Sequence, residues 1–381
     1  MTAHLRTPRR NENTGPAPRS GPRISRIEPR AYCVPTDFPE SDGTFEWKST
    51  TIIVVEVTAG NKTGLGYAYA GGAALKIIED SLNDVLLGSD AMDIAGAWQR
   101  MVRAVRNQGR AGVCSAAISA VDSALWDLKA KWLNLPLVKL LGQVRPGAPA
   151  YGSGGFTSYS TKQLQRQLAH WVRDGFQMVK MKIGRDAKAD VARVRAARQA
   201  IGRDAELFVD ANGAYNRKQA LAQAERFSEI GVSWFEEPVS SDDLAGLRFV
   251  RERAPNTMEI AAGEYGYDTY YFRRMLEAQA VDVIQFDATR CGGITGFIQA
   301  AALADAFQVP VSAHTAPSLH LHPACALPTV RHVEYFHDHA RIEHLLFDGA
   351  TNPVHGLLQP DLSRPGLGLE LKRKDAQRYA A

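Results

Sequence analysis

Short β-like runs that recur at a nearly constant interval constrain this chain more than any other feature of its sequence. From about residue 149 onward, eight such runs alternate with helix-like runs, and their starts lie 28, 28, 26, 27, 22, 28 and 23 residues apart. The runs are 150–153, 178–183, 206–211, 232–236, 259–262, 281–287, 309–313 and 332–335. This interval is typical of a βα unit repeated around a TIM-type (β/α)8 barrel of about 250 residues. A doubly wound sheet is the alternative, but no GxGxxG motif follows any of these runs.

The chain has 381 residues, which leaves room for a second, smaller domain before the barrel. Strand-like runs at 24–33, 47–57 and 63–70 are followed by helix-like runs at about 73–87, 91–107 and 112–134. The short connections between the strands favour an antiparallel meander. We therefore predict an α/β chain with an α+β domain at 23–145, a modified (β/α)8 barrel at 146–345, and a C-terminal segment at 346–381 that packs back on the first domain.

A polar stretch at 34–46 interrupts the first domain. It contains two prolines, one glycine and four acids, among them Asp37 and Glu40. A loop of this length inside a compact domain is often a functional lid. We predict a lid loop here.

The basic character of the chain is confined to its N-terminal end. Residues 1–30 contain seven arginines and two acids, so they contribute +5 to a net charge of +4 and leave −1 for the other 351 residues. Residues 1–22 are also rich in Pro, Asn, Ser and Gly, and we predict a disordered basic arm. A basic arm can bind nucleic acid, but no recognised nucleic-acid-binding motif follows it, so a solvated tail is the favoured interpretation.

The composition is that of an ordinary globular protein, with 45% hydrophobic and 23% charged residues. No apolar run approaches the roughly 20 residues that span a bilayer, and the N-terminus lacks the apolar core of a signal peptide. We therefore expect a cytoplasmic protein without a membrane partner. The four cysteines lie far apart without CxxC spacing, which argues against a disulfide framework and against a thiolate zinc site.

Three carboxylates stand at the C-terminal ends of consecutive runs. Asp210 ends LFVD, Glu236 ends WFE and Glu264 follows AAG, with separations of 26 and 28 residues. Because this edge of a barrel is its active face, we expect the three side chains to point into one cavity. Oxygen ligands without Cys or His favour a hard divalent cation, with Mg²⁺ as the default. Any one of these acids alone would be interpreted as a helix cap, and the spacing does not decide between Glu236 and Glu237.

Two lysines, Lys180 and Lys182, lie on the second run of the barrel, VKMKIG. Residues i and i+2 share one face of a strand, so both ammonium groups are expected to enter the barrel. The alternative, an exposed pair on a sheet surface, is not offered by a barrel strand. Mutual repulsion should lower the pKa of at least one lysine, which favours a neutral amine base.

A histidine and an aspartate end the seventh and sixth runs. His314 lies 27 residues after Asp287, one βα unit, so the two side chains are expected to meet across adjacent strands. A carboxylate behind an imidazole fixes its tautomer and raises its basicity. A lone barrel histidine is more often structural, but this spacing favours a catalytic pair.

Two further polar residues lie at strand ends. Glu334 is in the eighth run, where as a neutral acid it would donate a hydrogen bond to a substrate carboxylate, although a surface acid is the alternative. Asn212 follows Asp210 by two residues and shares its face. It would bind the substrate or support the metal ligand.

Taken together, these residues resemble the enolase superfamily, and within it the mandelate racemase subgroup, from about residue 24 to the C-terminus. The muconate-lactonizing type of the superfamily places a lysine on the sixth strand, where this chain has Asp287 instead. Lys180-Met181-Lys182 matches the K-x-K element, with Lys182 as the base. The metal ligands match Asp210, Glu236 (the first Glu of EEP) and Glu264. The His–Asp dyad matches Asp287 and His314, and the acid beyond strand eight matches Glu334.

The resemblance also implies the environment of the site. The first domain would be a capping domain whose 34–46 segment closes over the barrel mouth, and we expect Asp37, Glu40 and Asn212 to contact the substrate. Mg²⁺ would be the cofactor, a small-molecule carboxylate the substrate, and a homo-oligomer the assembly.

The implied reaction is abstraction of the proton α to a carboxylate by Lys182 or His314, giving an ene-diolate that the metal and Glu334 stabilise. Departure of a β-hydroxyl would make this the dehydration of an acid sugar to a 2-keto-3-deoxy acid, which we favour because the 34–46 segment is polar. Return of the proton to the opposite face would instead give a racemase or epimerase of a 2-hydroxy acid or amino acid derivative. A non-catalytic binding or regulatory protein is a third possibility, against which the intact set of chemical residues argues.

Overall fold

The computed structural model describes residues 21–381, and they form a three-stranded antiparallel sheet and a closed barrel. The predicted fold class is therefore confirmed. Residues 1–20 of the predicted arm lie outside the described residues. Gly21 and Pro22 were also assigned to the arm, but Gly21 N–H donates to Asp90 Oδ2 at 2.9 Å, and the Pro22 carbonyl accepts from Ala91 N–H at 2.9 Å. The prediction of disorder is wrong for these two residues, because the capping domain holds them.

The capping domain is a meander of three strands against which a long buried helix packs. The strands are β1 (Ile24–Ser41), β2 (Glu46–Ala59) and β3 (Lys62–Tyr69). The helices are α1 (Ala73–Ile77), α2 (Asn83–Leu86), α3 (Ile94–Ala104), α4 (Ser115–Trp132) and α5 (Leu137–Leu141), with a π-helical turn at Ile78–Leu82 and a kinked segment of non-helical backbone at Arg110–Cys114. The helix predicted at 73–87 is thus interrupted by a π-helical turn. Helix α4 is buried on almost all sides because it lies between the sheet and the barrel.

Strand β1 is longer than the sequence predicts and absorbs most of the expected lid loop. It pairs with β2 until Pro35 lies opposite Ser49, and the pairing resumes with Glu40 opposite Trp47. Between these two pairs the chain advances five residues along β1 but only two along β2, which is a large β-bulge. We call residues 35–47 the capping hairpin. The prediction that 34–46 is a loop is wrong because this bulge lets the strands continue pairing past the two prolines.

The barrel consists of eight parallel strands in sequential order, closed by pairing of the last strand with the first. They are β4 (Ala148–Gly154), β5 (Met178–Lys182), β6 (Glu206–Asp210), β7 (Val232–Glu236), β8 (Glu259–Ala262), β9 (Val283–Phe286), β10 (Val311–Ala313) and β11 (Val330–Phe336). Each overlaps one of the eight predicted runs. The regular spacing of the runs was therefore a direct reflection of the repeated βα unit.

Helices surround the barrel, and a C-terminal segment follows it. The helices are α6 (Thr161–Arg173), α7 (Asp190–Ile201), α8 (Arg217–Ser228), α9 (Leu244–Arg251), α10 (Thr269–Glu277), α11 (Gly293–Ala306), α12 (Pro317–Ala326) and α13 (His337–Leu346). The segment contains β12 (Phe347–Asp348), β13 (Leu357–Leu358), β14 (Glu370–Leu371), α14 (Arg373–Ala376) and a 3₁₀ turn at Gln377–Tyr379. Within residues 21–381, no helix has both the length and the apolar character needed to cross a membrane.

The C-terminal segment contacts both domains. Leu367 N–H donates to buried Asp127 Oδ1 of α4 at 2.6 Å, and Arg373 forms an ion pair with Glu56 of β2 at 2.6 Å. Strand β13 pairs antiparallel with β4 of the barrel. These contacts fix the capping domain relative to the barrel on the side away from the hairpin tip.

The capping hairpin is docked on the edge of the barrel where the strands end. Thr157 N–H donates to Ser41 O at 2.8 Å, Ser158 Oγ donates to Pro39 O at 2.6 Å, and Arg341 of α13 donates to Pro35 O at 2.6 Å. At the hairpin tip, a Cβ atom on Gly43 would lie 2.7 Å from the carbonyl oxygen of Ile183, which follows β5. Only glycine allows the hairpin backbone to approach the barrel this closely.

We therefore expect Gly43→Ala to lift the hairpin from the barrel, because overpacking of this kind costs about 1–3 kcal/mol. Amide hydrogen exchange in residues 35–47 should become faster while exchange in the barrel strands stays unchanged. Gly72→Ala is the matched control, since nothing lies within 4 Å of the position of its Cβ. Equal exchange in the two variants would contradict the docking.

Candidate active site and metal centre

The barrel interior is layered because residues two apart on a strand share a face. Phe208 on β6 and Trp234 on β7 stack with ring centroids 5.1 Å apart, and Tyr151 of β4 packs on both. These rings fill the lower barrel. Two residues further along the same strands, at their C-terminal ends, stand Asp210 and Glu236. A layer of carboxylates therefore lies directly on a layer of aromatic rings.

The three predicted metal ligands do meet in one place. Asp210, Glu236 and Glu264 are buried, and each offers a carboxylate oxygen within 4.8 Å of the other two. Glu264 comes two residues after β8, following Gly263, whose φ of +137° would place a Cβ against the backbone of Gln285. Glycine is needed there so that the chain can turn Glu264 into the barrel.

The ambiguity between Glu236 and Glu237 is resolved by the strand. Glu236 is the last residue of β7 and faces inward, whereas Glu237 has a φ of +39° and lines a separate cavity with Ser240 and Tyr271. Burial, together with the charge of Glu264, raises the pKa of Glu237 well above its usual value. Glu236, and not Glu237, belongs to the carboxylate group.

The two lysines enter the barrel as predicted but lie at different depths. Lys180 is fully buried, with its Nζ 2.6 Å from Glu236 Oε1 and 2.8 Å from Glu334 Oε1. Lys182 hydrogen-bonds to Asp210 and lines the cavity at the barrel mouth. Lys182 can therefore reach a bound molecule, whereas Lys180 is held beneath the carboxylates.

The expected lowering of a lysine pKa is not observed. Burial alone would lower the pKa of Lys182, but the carboxylates of Asp210, Glu264 and Glu236 together outweigh burial and the repulsion from Lys180, so the pKa is raised. The pKa of Lys180 is also raised, because Glu236 and Glu334 outweigh its burial. With no cation on the carboxylates, the acids around the two ammonium groups dominate the repulsion between them.

The predicted histidine–aspartate pair is formed across β9 and β10. His314 Nδ1 lies 2.9 Å from Asp287 Oδ2, and His314 Nε2 lies 3.3 Å from Glu264 Oε2. The Asp287 carboxylate can only accept, so it selects the tautomer with hydrogen on Nδ1 and leaves Nε2 directed at the site. Burial alone would lower the pKa of His314, but Glu264 and the hydrogen bond to Asp287 raise it to about 10.

Glu334 is in the site, although not in the protonation state that the sequence analysis assigned. Ser153 Oγ donates to its Oε1 at 2.5 Å, and Thr315 N–H donates to its Oε2 at 3.1 Å. Burial would raise the pKa of Glu334, but the ammonium of Lys180 and the ring of His314 lower it to about 2. The residue is thus an ionised acceptor, because an ammonium group that the sequence did not place beside it lies 2.8 Å away.

A cavity of about 610 Å³ opens above these groups. Lys182, Glu264, His314 and Asn212 line its floor and sides, and Asn212 Oδ1 is buried without a hydrogen-bond partner among the described residues. The capping domain supplies much of the remaining wall. Its lining residues are Asp42, Thr44, Phe45, Trp47, Ser49, Thr50, Thr51, Tyr69, Ala70 and Gly71.

Two predicted substrate contacts do not lie in this wall. Asp37 faces His337 on the outer side of the hairpin, with carboxylate oxygens 3.0 and 3.2 Å from Nε2, and Glu40 accepts a hydrogen bond from Trp47 Nε1 at 2.9 Å. The bulge in β1 turns both side chains away from the cavity. Their assignment to substrate binding is corrected accordingly, and Trp47 takes the place next to the cavity.

Several lining residues were missed by the sequence analysis. Arg290 donates to Glu264 Oε1 at 3.2 Å, and His339 of α13 stacks on Tyr69 with ring centroids 3.4 Å apart. Arg290 follows Asp287 by three residues in a tight turn, a spacing that could have drawn attention to it. His339 and Tyr69 meet only because the capping domain docks on α13, and no local signal predicts that contact.

The donor set fits a hard divalent cation. Asp210, Glu236 and Glu264 converge as buried carboxylates with neither Cys nor His among them, and oxygen donors of this kind suit Mg²⁺. Glu264 Oε2 accepts no well-formed hydrogen bond from any residue in 21–381, which leaves it available as a ligand. Burial and the charge of Asp210 raise the pKa of Glu236 to about 8, although the nearby ammonium of Lys180 lowers it.

Comparison with known proteins agrees with this geometry. Residues 163–376 match the family model described as enolase C-terminal domain-like, and residues 31–142 match that of the mandelate racemase / muconate lactonizing enzyme N-terminal domain. The chain therefore belongs to the mandelate racemase/muconate lactonizing enzyme family of the enolase superfamily.

Three relatives illustrate the range within this family. A 3,6-anhydro-α-L-galactonate cycloisomerase of Streptomyces coelicolor is 34% identical over 91% of this chain and 97% of its own length. The crystal structure of a mandelate racemase/muconate lactonizing enzyme-like protein from Rubrobacter xylanophilus superposes with a TM-score of 0.93 at 52% identity, covering 94% of this chain and all of that one. An L-talarate dehydratase from Polaromonas sp. JS666, complexed with Mg and L-glucarate, gives a TM-score of 0.86 at 30% identity, covering 94% of this chain and 97% of that one.

The neighbouring acids Glu236 and Glu237 provide a matched test of the cation site. We expect Glu236→Gln to weaken Mg²⁺ or Mn²⁺ binding at least about 100-fold, since losing even an outer-shell partner costs about 10- to 100-fold. Glu237→Gln should bind the cation normally, because Glu237 lines a separate cavity and is not one of the three clustered carboxylates. Calorimetric titration of both folded variants measures the difference, and loss of binding in Glu237→Gln alone would reverse the assignment.

Proposed function

We propose that this member of the mandelate racemase/muconate lactonizing enzyme family removes the α-proton of a sugar acid bound on Mg²⁺ and eliminates its β-hydroxyl, giving a 2-keto-3-deoxy acid. The observation that carries the proposal is the placement of two proton-transfer groups around one carboxylate cluster. Lys182 contacts Asp210 on one side, and His314 Nε2 lies 3.3 Å from Glu264 on the other. A substrate carboxylate held on this cluster has a base on each face.

The roles of the two groups follow from their surroundings. Lys182 ends β5 at the cavity, and within residues 21–381 its Nζ hydrogen-bonds to Asp210 alone, so it suits removal of the α-proton. His314 is backed by Asp287 and has a raised pKa, so it can carry a proton and deliver it to a leaving hydroxyl. Bound Mg²⁺ would withdraw part of the carboxylate charge that keeps Lys182 protonated and would stabilise the negative charge of an ene-diolate.

The cavity wall supports a polyol as the substrate. Ser49, Thr51 and Asp42 line the space above the carboxylates, and Asn212 Oδ1 has no hydrogen-bond partner among the described residues, whereas the Thr50 hydroxyl bonds to Asp338. Such groups can exchange hydrogen bonds with several substrate hydroxyls. A volume of about 610 Å³ is within the range of small-molecule sites and accommodates a six-carbon acid.

The relatives provide independent support for acid sugars. One acts on an anhydrogalactonate and another binds L-glucarate with Mg, so both handle carboxylates that carry several hydroxyls. Because the first of these is a cycloisomerase, cycloisomerisation of a sugar acid or its lactone is the second candidate. Both reactions can begin with removal of the α-proton, and they differ in whether water is lost.

The proposal is tested by incubating the protein with Mg²⁺ and a panel of aldonic and aldaric acids in D₂O. We expect one acid to yield a 2-keto product with loss of one water, detected by semicarbazide derivatisation and mass spectrometry. Lys182→Ala and His314→Asn should each lower kcat by at least about 100-fold, the usual contribution of a general acid or base. Lys188→Ala is the control, because this exposed lysine lies outside the cavity.

Other outcomes have definite meanings. A product of unchanged mass, formed through the same two residues, would favour the cycloisomerase. Deuterium at the α-carbon without a keto acid would favour a racemase or epimerase. Full activity in Lys182→Ala and His314→Asn would overturn the proposed site.

A further inference from the structure

A second group of potential metal ligands lies outside the carboxylate cluster, at the joint between the capping hairpin and the barrel. Asp37 and Glu40 come from β1, and His337 is the first residue of α13. Each offers one ligand atom, and the three atoms lie within 4.8 Å of one another. His337 Nε2 lies 3.0 Å from Asp37 Oδ2. Nothing in the mechanism above uses these three residues.

Glu40 is the most unusual member of the group. Its side chain is 0% exposed, and its Oε1 has no hydrogen-bond partner in the described part of the chain, although Oε2 accepts from Trp47. An ionised carboxylate buried with one oxygen unpartnered is costly unless a cation is nearby. Burial and the neighbouring charge of Asp338 raise the pKa of Glu40 to about 9, so a cation that binds here displaces the proton of this acid.

The charged groups around Glu40 do not supply a cation that pairs with it. Arg341 is one cation of the neighbourhood, but it donates to Asp338 Oδ1 at 2.7 Å and to the Pro35 carbonyl. Arg166 and Arg173 line the outer cavity beside Asp37, but within residues 21–381 neither they nor Arg341 forms an ion pair with Asp37 or Glu40. An additional positive charge between Asp37 and Glu40 would remove the imbalance.

We propose that Asp37, Glu40 and His337 form an accessory binding site for a divalent transition-metal cation of the Zn²⁺ type, which fastens the capping hairpin to the barrel. The ligand chemistry separates this site from the catalytic one. Its imidazole nitrogen suits Zn²⁺, whereas the all-carboxylate cluster in the barrel suits Mg²⁺. Three protein ligands leave a fourth tetrahedral position for water.

The three ligand atoms would have to move only slightly to coordinate a tetrahedral ion. Ligand atoms about 2.0–2.2 Å from a tetrahedral ion lie roughly 3.3–3.6 Å apart. The observed 3.0 Å between Asp37 and His337, and the upper limit of 4.8 Å for the group, bracket these values. A cavity of about 540 Å³ lined by Asp37 and His337 connects the site to solvent, so an ion has a path of entry.

Occupancy would act on the catalytic cavity through the hairpin. Glu40 holds Trp47 by a 2.9 Å hydrogen bond, and the Trp47 ring lines that cavity. His337 follows Glu334 by three residues at the end of β11. An ion on these ligands would thus fix a cavity wall relative to the strand that carries Glu334, without contacting the reacting atoms.

The test is a calorimetric titration of the full chain with Zn²⁺ in the presence of excess Mg²⁺, which keeps the barrel carboxylates occupied. We expect one Zn²⁺ per chain in the wild type and at least about 100-fold weaker binding in both His337→Ala and Glu40→Gln. The Gln variant preserves the size of the buried side chain and its bond from Trp47. His170→Ala is the matched control, because His170 lines the same outer cavity but is not one of the three ligands.

Amide hydrogen exchange provides a second readout that does not depend on activity. Zn²⁺ should slow exchange in residues 35–47 of the wild type and of His170→Ala, and should have no effect in His337→Ala. Absence of Zn²⁺ binding in the wild type, or equal binding in the wild type and His337→Ala, would overturn the proposal.

Discussion

The ammonium group of Lys180 is the constraint on which the active face of this barrel depends. It is fully buried, stands 5.3 Å above the ring of Tyr151, and contacts Glu236 and Glu334 within 3 Å. A charge removed from water in this way is tolerated only when opposite charges surround it. The two acids lie on strands on opposite flanks of β5, so the lysine joins β7 to β11 through the barrel interior. The strand register, the stacking of side-chain layers in the barrel and the charge balance of the site therefore all depend on the position of Lys180 Nζ.

The same constraint explains why the two lysines differ although they share a face. Lys180 neutralises acids from below and has no route to the cavity, so its contribution is to position Glu236 and Glu334. Lys182 lies one layer higher, where Asp210 is its partner and a bound molecule is within reach. On the other side, Asp287 orients His314 in a comparable manner. Lys182 and His314 thus each have a buried ionic partner that holds them in place, which is how a preorganised site avoids reorganisation during reaction.

Much of this arrangement could be predicted because it follows from periodicity. The interval between runs predicts the barrel, the i, i+2 rule predicts that Lys180 and Lys182 point inward, and the one-unit spacing predicts that Asp287 meets His314. The failures all involve contacts between distant segments. The bulge in β1, which turns Asp37 and Glu40 outward, depends on docking of the hairpin. The ionised state of Glu334 depends on Lys180, which lies 154 residues away in sequence. The stack of His339 on Tyr69 depends on how the two domains meet.

The division of labour between the domains follows from these contacts. The barrel supplies every group that can move a proton or hold a cation on the cavity floor, whereas β2, β3 and the capping hairpin supply most of the wall that a polyol would touch. Because Gly43 allows the hairpin tip to rest on the ends of β5 and β6, the wall is positioned by backbone packing at one point. At the other end of the hairpin, Asp37 and Glu40 meet His337 directly after β11. The position of the cavity wall therefore depends on how firmly the hairpin is attached at both ends. An ion bound by Asp37, Glu40 and His337 would change how the wall contacts a bound molecule, while the carboxylates, Lys182 and His314 at the cavity floor would stay in place.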